Sequence, residues 1–267
     1  MILNAKNGSI SIENTQMNYI KFGKGPQNLI LIPGLGDGLR SVKGLALPFA
    51  FLYRELVNDY TVYSFSRRNV LPPSFSTREM AADLAYAMDK TGIKKAHILG
   101  VSQGGMIAQH LAIDFPKMVD KLVLTVTIPK HNEPIHSVIN PWIEMAKNRD
   151  YKSIMIDTAE KSYTEKYLKK MRPMYHFLGN VGAPKSYDRF LTMADACLTH
   201  DATDGLHTIT VPTLILGGAK DLIVSGDASE ELASLIPNAT LYMYQEYGHG
   251  LYEEASDFVK RVTSFLG

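Results

Sequence analysis

The feature that most constrains the fold is the run Ala96-His97-Ile98-Leu99-Gly100-Val101-Ser102-Gln103-Gly104-Gly105-Met106-Ile107-Ala108. In it a short apolar strand passes through a glycine-flanked serine directly into a helix, which continues through Gln109, His110, Leu111 and Ile113. In the spacing G-x-S-x-G (Gly100, Ser102, Gly104), the glycines leave room for backbone where a side chain would strike the neighbouring strand and helix. The turn is strained, and it holds the Ser102 hydroxyl out beyond the carboxyl edge of a sheet, beside a helix N-terminus that favours negative charge. A nucleophile needs that setting, although the local stretch alone also fits an ordinary glycine-rich turn or a phosphate cradle.

The rest of the chain supplies the sheet. Ser9–Ile12 and Met17–Phe22 alternate polar and apolar residues and read as antiparallel edge strands. Asn28–Ile32 is apolar from Leu29 on, as expected of a strand buried on both faces, and runs into the glycine-rich loop Pro33-Gly34-Leu35-Gly36-Asp37-Gly38. A helical pattern over 49–58, a strand over 60–65 and an amphipathic helix over 77–91, capped by Ser76 or Thr77, precede the serine turn. Lys121–Thr127, Val211–Gly218 and Ala239–Tyr244 are further strands, and helices are expected over 226–235 and 256–266. This alternation predicts an α/β fold with a mostly parallel sheet covered on both faces, whose ligands bind at the carboxyl ends of the strands.

Residues 130–208 break the rhythm. They read as helices over 141–148, 151–163, 164–175 and 186–199 with no sheet strand, which predicts a helical cap (130–208) inserted into a core of 1–129 and 209–267. Its aromatic and methionine residues, with Trp142, Met145, Tyr175 and Phe177 foremost, are candidates for a substrate pocket. Most such residues in any insertion simply build its own core.

Composition narrows the partners. A formal net charge of +1 over 267 residues argues against nucleic acid or an anionic membrane, both of which demand a basic face. The single Cys197 excludes an internal disulfide and thiolate metal sites. No apolar run reaches the ~20 residues that span a bilayer, and Met1–Lys6 does not open a signal peptide. The expectation is a cytoplasmic protein with a small-molecule substrate and no cofactor, as monomer or homodimer.

A serine hydroxyl is a poor nucleophile without a base and a group to orient that base. His249 follows the last strand between Gly248 and Gly250, and Asp221 follows the strand before it, so both fall at the same sheet edge as Ser102. The remaining histidines, at 97, 110, 131, 136, 176, 200 and 207, lie on elements or at spacings that converge on nothing. The backbone N–H groups of Gln103 and Leu35 are the expected oxyanion donors, one after the nucleophile and one in the glycine-rich loop.

These residues together resemble the α/β-hydrolase superfamily over essentially the full length, in its lid-bearing esterase, lactonase and haloperoxidase-like branch. The matching segments are Pro33-Gly34-Leu35-Gly36, Gly100-Val101-Ser102-Gln103-Gly104-Gly105, Val211-Pro212-Thr213-Leu214 with Gly217 and Asp221, and Gly248-His249-Gly250. The resemblance implies an eight-stranded mostly parallel sheet, a cap after the sixth strand, and no cofactor. Two departures stand out. Pro33-Gly34 replaces the usual His-Gly and so removes a side chain that braces the loop. Ser66-Arg67-Arg68-Asn69 replaces an aspartate-containing turn, where the two arginines either brace the loop or meet an anionic substrate. A serine at the elbow argues against dehalogenase and epoxide-hydrolase chemistry.

The expected reaction is cleavage of a small carboxylic ester, thioester or lactone through an acyl-enzyme on Ser102. The same residues also serve C–C hydrolysis, N-terminal peptide cleavage, acyl transfer and perhydrolysis, and a non-catalytic binding protein on this fold is a rival of a different class.

Overall fold

The computed structural model describes residues 3–175, 177 and 182–267. Its centre is an eight-stranded sheet built from β1 (Lys6–Ile12), β2 (Thr15–Gly23), β3 (Gln27–Ile32), β4 (Tyr60–Arg68), β5 (Ala96–Val101), β6 (Val119–Thr125), β7 (Thr213–Gly218) and β8 (Ala239–Tyr244). The order across the sheet is β1-β2-β4-β3-β5-β6-β7-β8. β1–β2 and β2–β4 pair antiparallel, and every other pair is parallel. The two alternating N-terminal segments are therefore the antiparallel edge, as their pattern predicts.

Apolar residues on both faces explain the continuous hydrophobic runs of the central strands. Ile30, Ile32, Ile98, Leu122, Leu124 and Ile215 belong to one buried layer, while Leu29, Leu31, Leu99, Val123, Leu214 and Leu216 belong to the other. Successive strand residues alternate between faces, so only a strand covered on both sides can be apolar throughout. Helices α2 (Thr77–Lys90), α3 (Gln103–Asp114) and α9 (Ala228–Leu235) supply the first layer, and α1 (Ala46–Leu52) and α11 (Phe258–Leu266) the second. Ser76 caps α2 in a capping box: its hydroxyl accepts from the Glu79 N–H, and Glu79 accepts from the Ser76 N–H at 2.7 Å.

Between β6 and β7 the described chain forms α4 (Glu133–Lys147), α5 (Tyr151–Ser162), α6 (Glu165–Met171), α7 (Asp188–Leu198) and the single turn α8 (Thr203–Leu206), and α10 (Leu251–Glu254) follows β8. Several elements differ from expectation. The helix predicted over 49–58 starts at Ala46 and ends at Leu52, because Pro48 is tolerated in a first turn and the chain breaks at Tyr53 before a short 3₁₀ turn. The helix predicted from Pro141 begins eight residues earlier, where Asn132 accepts from the Ile135 N–H at 3.0 Å and Pro141 is carried inside. α10 was invisible in the sequence, being a single turn.

No described helix is long and apolar enough to cross a membrane.

Candidate active site

The turn after β5 is built as its glycines require. Ser102 has φ 54° and ψ −123°, a conformation unfavourable for a residue with a side chain, and α3 begins at the next residue. A Cβ on Gly104 would stand 2.0 Å from the Ile32 carbonyl oxygen, and one on Gly100 would stand 2.4 Å from the Gly104 carbonyl. On Gly105 it would strike the Thr127 side chain at 2.6 Å. The elbow thus wedges between β3, β6 and its own helix. The next strand end is strained as well: Val126, β-branched, takes φ 45° just past β6.

Asp221 and His249 meet beyond the ends of β7 and β8. His249 Nδ1 is 2.8 Å from Asp221 Oδ2, and Asp221 Oδ1 accepts from the backbone N–H groups of Ile223 at 2.8 Å and Val224 at 3.0 Å. The carboxylate is 1% exposed, so two backbone donors and the imidazole are what compensate its burial. With Nδ1 engaged, Nε2 is the ring nitrogen left for the cavity. Gly248 and Gly250 serve a purpose other than loop freedom. Their missing side chains admit the end of α5: a Cβ on Gly250 would meet the Tyr163 ring at 2.5 Å, and the Gly250 N–H donates to the Ser162 carbonyl at 2.8 Å.

Ser102, His249, Gly34 and Leu35 line one cavity of about 480 Å³, a size that holds a small organic ligand. Ser102 and His249 share it without a hydrogen bond between them, a separation that unliganded sites often close only around substrate. A Cβ on Gly34 would lie 3.3 Å from the Ser102 Cβ, which shows how near the glycine-rich loop comes. The Leu35 and Gln103 N–H groups make no hydrogen bond to any described residue.

Of the predicted pocket residues, Trp142 lines the cavity, its Nε1 donating to Asp157 at 2.6 Å. Met145, Tyr175 and Phe177 do not. Met145 packs on the apolar core, Tyr175 donates to Glu160 at 3.1 Å, and Phe177 is 72% exposed. Phe190, another aromatic of the insertion that the sequence offers as a candidate, also lines the cavity, and the rest of that wall comes from Ile135, Ile139, Ile154 and Met155, along the buried faces of α4 and α5. His176 lies outside the described residues.

Arg67 and Arg68 brace structure and face no substrate. Arg68 Nε donates to Asp83 at 2.6 Å and Nη1 to Glu13 at 2.8 Å. Arg67, 3% exposed, donates from Nη2 to the Pro33 carbonyl at 2.6 Å and to Gln103 Oε1 at 3.2 Å. Burial lowers its pKa to about 10, with Asp37 opposing, so the guanidinium stays charged near neutrality. Asp37 accepts from Ser66 Oγ at 2.6 Å and the Arg67 N–H at 3.0 Å, and pairs with Arg189 of α7. Gln103 Nε2 reaches the Met193 carbonyl at 2.5 Å and Cys197 Sγ at 3.1 Å. This buried network ties the loop after β3, the elbow and α7 together, and it replaces the brace that Pro33 removes. The Ser66-Arg67 pair was visible in the sequence, but its partners Asp37 and Arg189 are 152 residues apart.

The geometry is that of an α/β hydrolase. A family model described as "alpha/beta hydrolase fold" matches residues 27–152 and 145–256, and the chain belongs to that family. It is 27% identical over 251 residues to "Putative carbamate hydrolase RutD" of Caulobacter vibrioides, covering 91% of both chains. It is also 27% identical over 285 residues to a 2-hydroxy-6-oxononadienedioate/2-hydroxy-6-oxononatrienedioate hydrolase of a Pseudomonas species, covering 97% of this chain and 92% of that one. The fold matches the enol-lactonase from Burkholderia xenovorans LB400 with a TM-score of 0.82 at 19% identity, over 97% and 99% of the two chains. The chain is accordingly a hydrolase of this family.

Proposed function

We propose that this hydrolase cleaves small carboxylic esters, or their thioester and lactone relatives, through an acyl-enzyme on Ser102. The observation that carries the reading is the 2.8 Å His249–Asp221 contact on the wall of the cavity that the strained Ser102 also lines. His249 Nε2 takes the Ser102 proton as the hydroxyl oxygen attacks the carbonyl carbon. The Asp221 carboxylate stabilises the imidazolium, and the Leu35 and Gln103 N–H groups hold the oxyanion. The tetrahedral intermediate collapses, the alkoxide leaves with the proton from His249, and water attacks the acyl-enzyme by the same steps in reverse. Residues 130–208 act as the lid over the core of 1–129 and 209–267, because α4, α5 and α7 furnish the apolar wall.

The lining favours an uncharged acyl group. Among the described residues no lysine or arginine lines the cavity. A nonadienedioate, the substrate in the Pseudomonas relative's name, carries two carboxylates that would enter this cavity without a cationic partner.

The test is steady-state hydrolysis of p-nitrophenyl esters from acetate to decanoate, with a serine-directed phosphonate and mass-spectrometric identification of the labelled residue. Turnover abolished by a label on Ser102 supports the reading. A label on Ser102 without ester turnover rejects the substrate class, and absence of label rejects the nucleophile.

A further inference from the structure

The cavity is chemically lopsided. Its wall on α4, α5 and α7 is apolar, whereas another part is lined by Tyr53, Tyr163, Tyr252 and Glu253. Glu253 lies in α10, four residues after His249, and its Oε2 accepts from the Tyr163 hydroxyl at 2.5 Å. The residue is exposed, and no described cation forms an ion pair with its carboxylate. The proximity registers in the phenols. Burial first, and the Glu253 charge second, push Tyr53 up to about 12 and raise Tyr163 and Tyr252 as well.

The other carboxylate on the cavity wall, Asp37, is already occupied by Ser66, the Arg67 N–H and Arg189. Glu253 is therefore the one lining carboxylate not matched by a cation among the described residues. A carboxylate without a cationic partner beside several aromatic rings attracts an organic ammonium ion, by charge and through the rings' quadrupoles. The direction follows from the chemistry: the leaving oxygen takes its proton from His249, so the alcohol portion departs on the His249 side, and Glu253 follows His249 by four residues on the same cavity wall.

We propose, on the serine-hydrolase reading above, that Glu253 with Tyr53, Tyr163 and Tyr252 forms a subsite for a cationic alcohol portion, making esters of quaternary or protonated amino alcohols the preferred substrates. Esters with a carboxylate on the alcohol side are correspondingly disfavoured.

The test compares isosteric pairs in which N⁺ replaces carbon. Butyrylcholine and 3,3-dimethylbutyl butyrate are compared as substrates, and choline and 3,3-dimethyl-1-butanol are compared for binding by ligand-observed NMR, which needs no turnover. The ratio of the two kcat/KM values should favour the choline ester about tenfold and fall toward one in Glu253→Gln, with choline losing its binding advantage in parallel. A ratio at or below one, or one that Glu253→Gln does not change, overturns the subsite while leaving the serine hydrolase standing. Equal or weaker binding of choline than of its neutral isostere overturns it even if neither ester turns over. No hydrolysis of any ester, including p-nitrophenyl butyrate, rejects the ester substrate class, and the binding comparison then decides the subsite by itself.

Discussion

His249 Nδ1 lies 2.8 Å from Asp221 Oδ2, while the other oxygen of the same carboxylate accepts from two backbone N–H groups in the loop after β7. The imidazole is thereby held in one orientation by a carboxylate that cannot itself rotate away. Asp221→Asn keeps the shape but turns an N–H₂ toward the ring and selects the wrong tautomer. On the proposed mechanism kcat falls about 10³-fold or more, with an unchanged far-UV spectrum, and steady-state kinetics on the preferred p-nitrophenyl ester would show it.

On the proposed mechanism Gln103 lends its N–H to the oxyanion, and its side chain belongs to the buried network. Gln103→Ala retains the N–H but strips Arg67 of one acceptor and the Met193 carbonyl of its side-chain donor. Leaving buried polar groups unpaired costs about 2–4 kcal/mol, read as a lower urea midpoint. The loosened loop should lower kcat by about tenfold with a smaller effect on KM.

Two glycines form an internal control. An added methyl at Gly104 meets the Ile32 carbonyl at 2.0 Å, whereas at Gly36 it meets nothing within 4 Å. Gly104→Ala should lose about 3 kcal/mol or more, through overpacking against backbone that cannot move. Gly36→Ala should stay within about 0.5 kcal/mol of the parent. Equal stability of the two in denaturant titrations would refute the wedge.

A buried histidine pair sets the acid limb of stability. His200 Nδ1 is 2.9 Å from Thr77 Oγ1, and its ring packs edge-on against His110 at 5.2 Å. Burial lowers His110 to about 4 and His200 to about 3. Both are neutral in the fold, whereas in the unfolded chain they protonate near 6.5. The unfolded state therefore binds more protons below that pH, and stability falls as pH drops from about 6.5 toward 4. Melts at pH 7.5 and 5 should show the loss, and His200→Gln should shrink it.

Much of the fold was legible because its signals are local. Asn28–Ile32, Lys121–Leu124 and Thr213–Gly218 could be nothing but strands buried on both faces, and the Gly100–Ser102–Gly104 spacing announced a strained elbow before a helix. Boundaries were less legible where tertiary packing overrides local preference. β4 runs on to Arg68 because β2 pairs with it, Met17 opposite Arg68. Pro141 lies inside α4, although a proline ordinarily marks a helix start or stop. The pocket candidates were only partly right for a related reason: helical spacing identifies an apolar face, but Met145 on that face turns to the core while Ile139 and Trp142 also reach the cavity.

The sequence alone determined the sheet, the elbow and the order Ser102, Asp221, His249, since each rests on residue types within a few positions of one another. Only the tertiary structure decided that Arg67 is a brace between Pro33, Gln103 and Asp37, that Arg189 reaches across from α7, and that Ser162 and Tyr163 pack against the His249 loop. Those contacts join segments tens to more than a hundred residues apart. Their energy comes from burying charge only where partners converge, and no local pattern in a chain records which distant groups will do so.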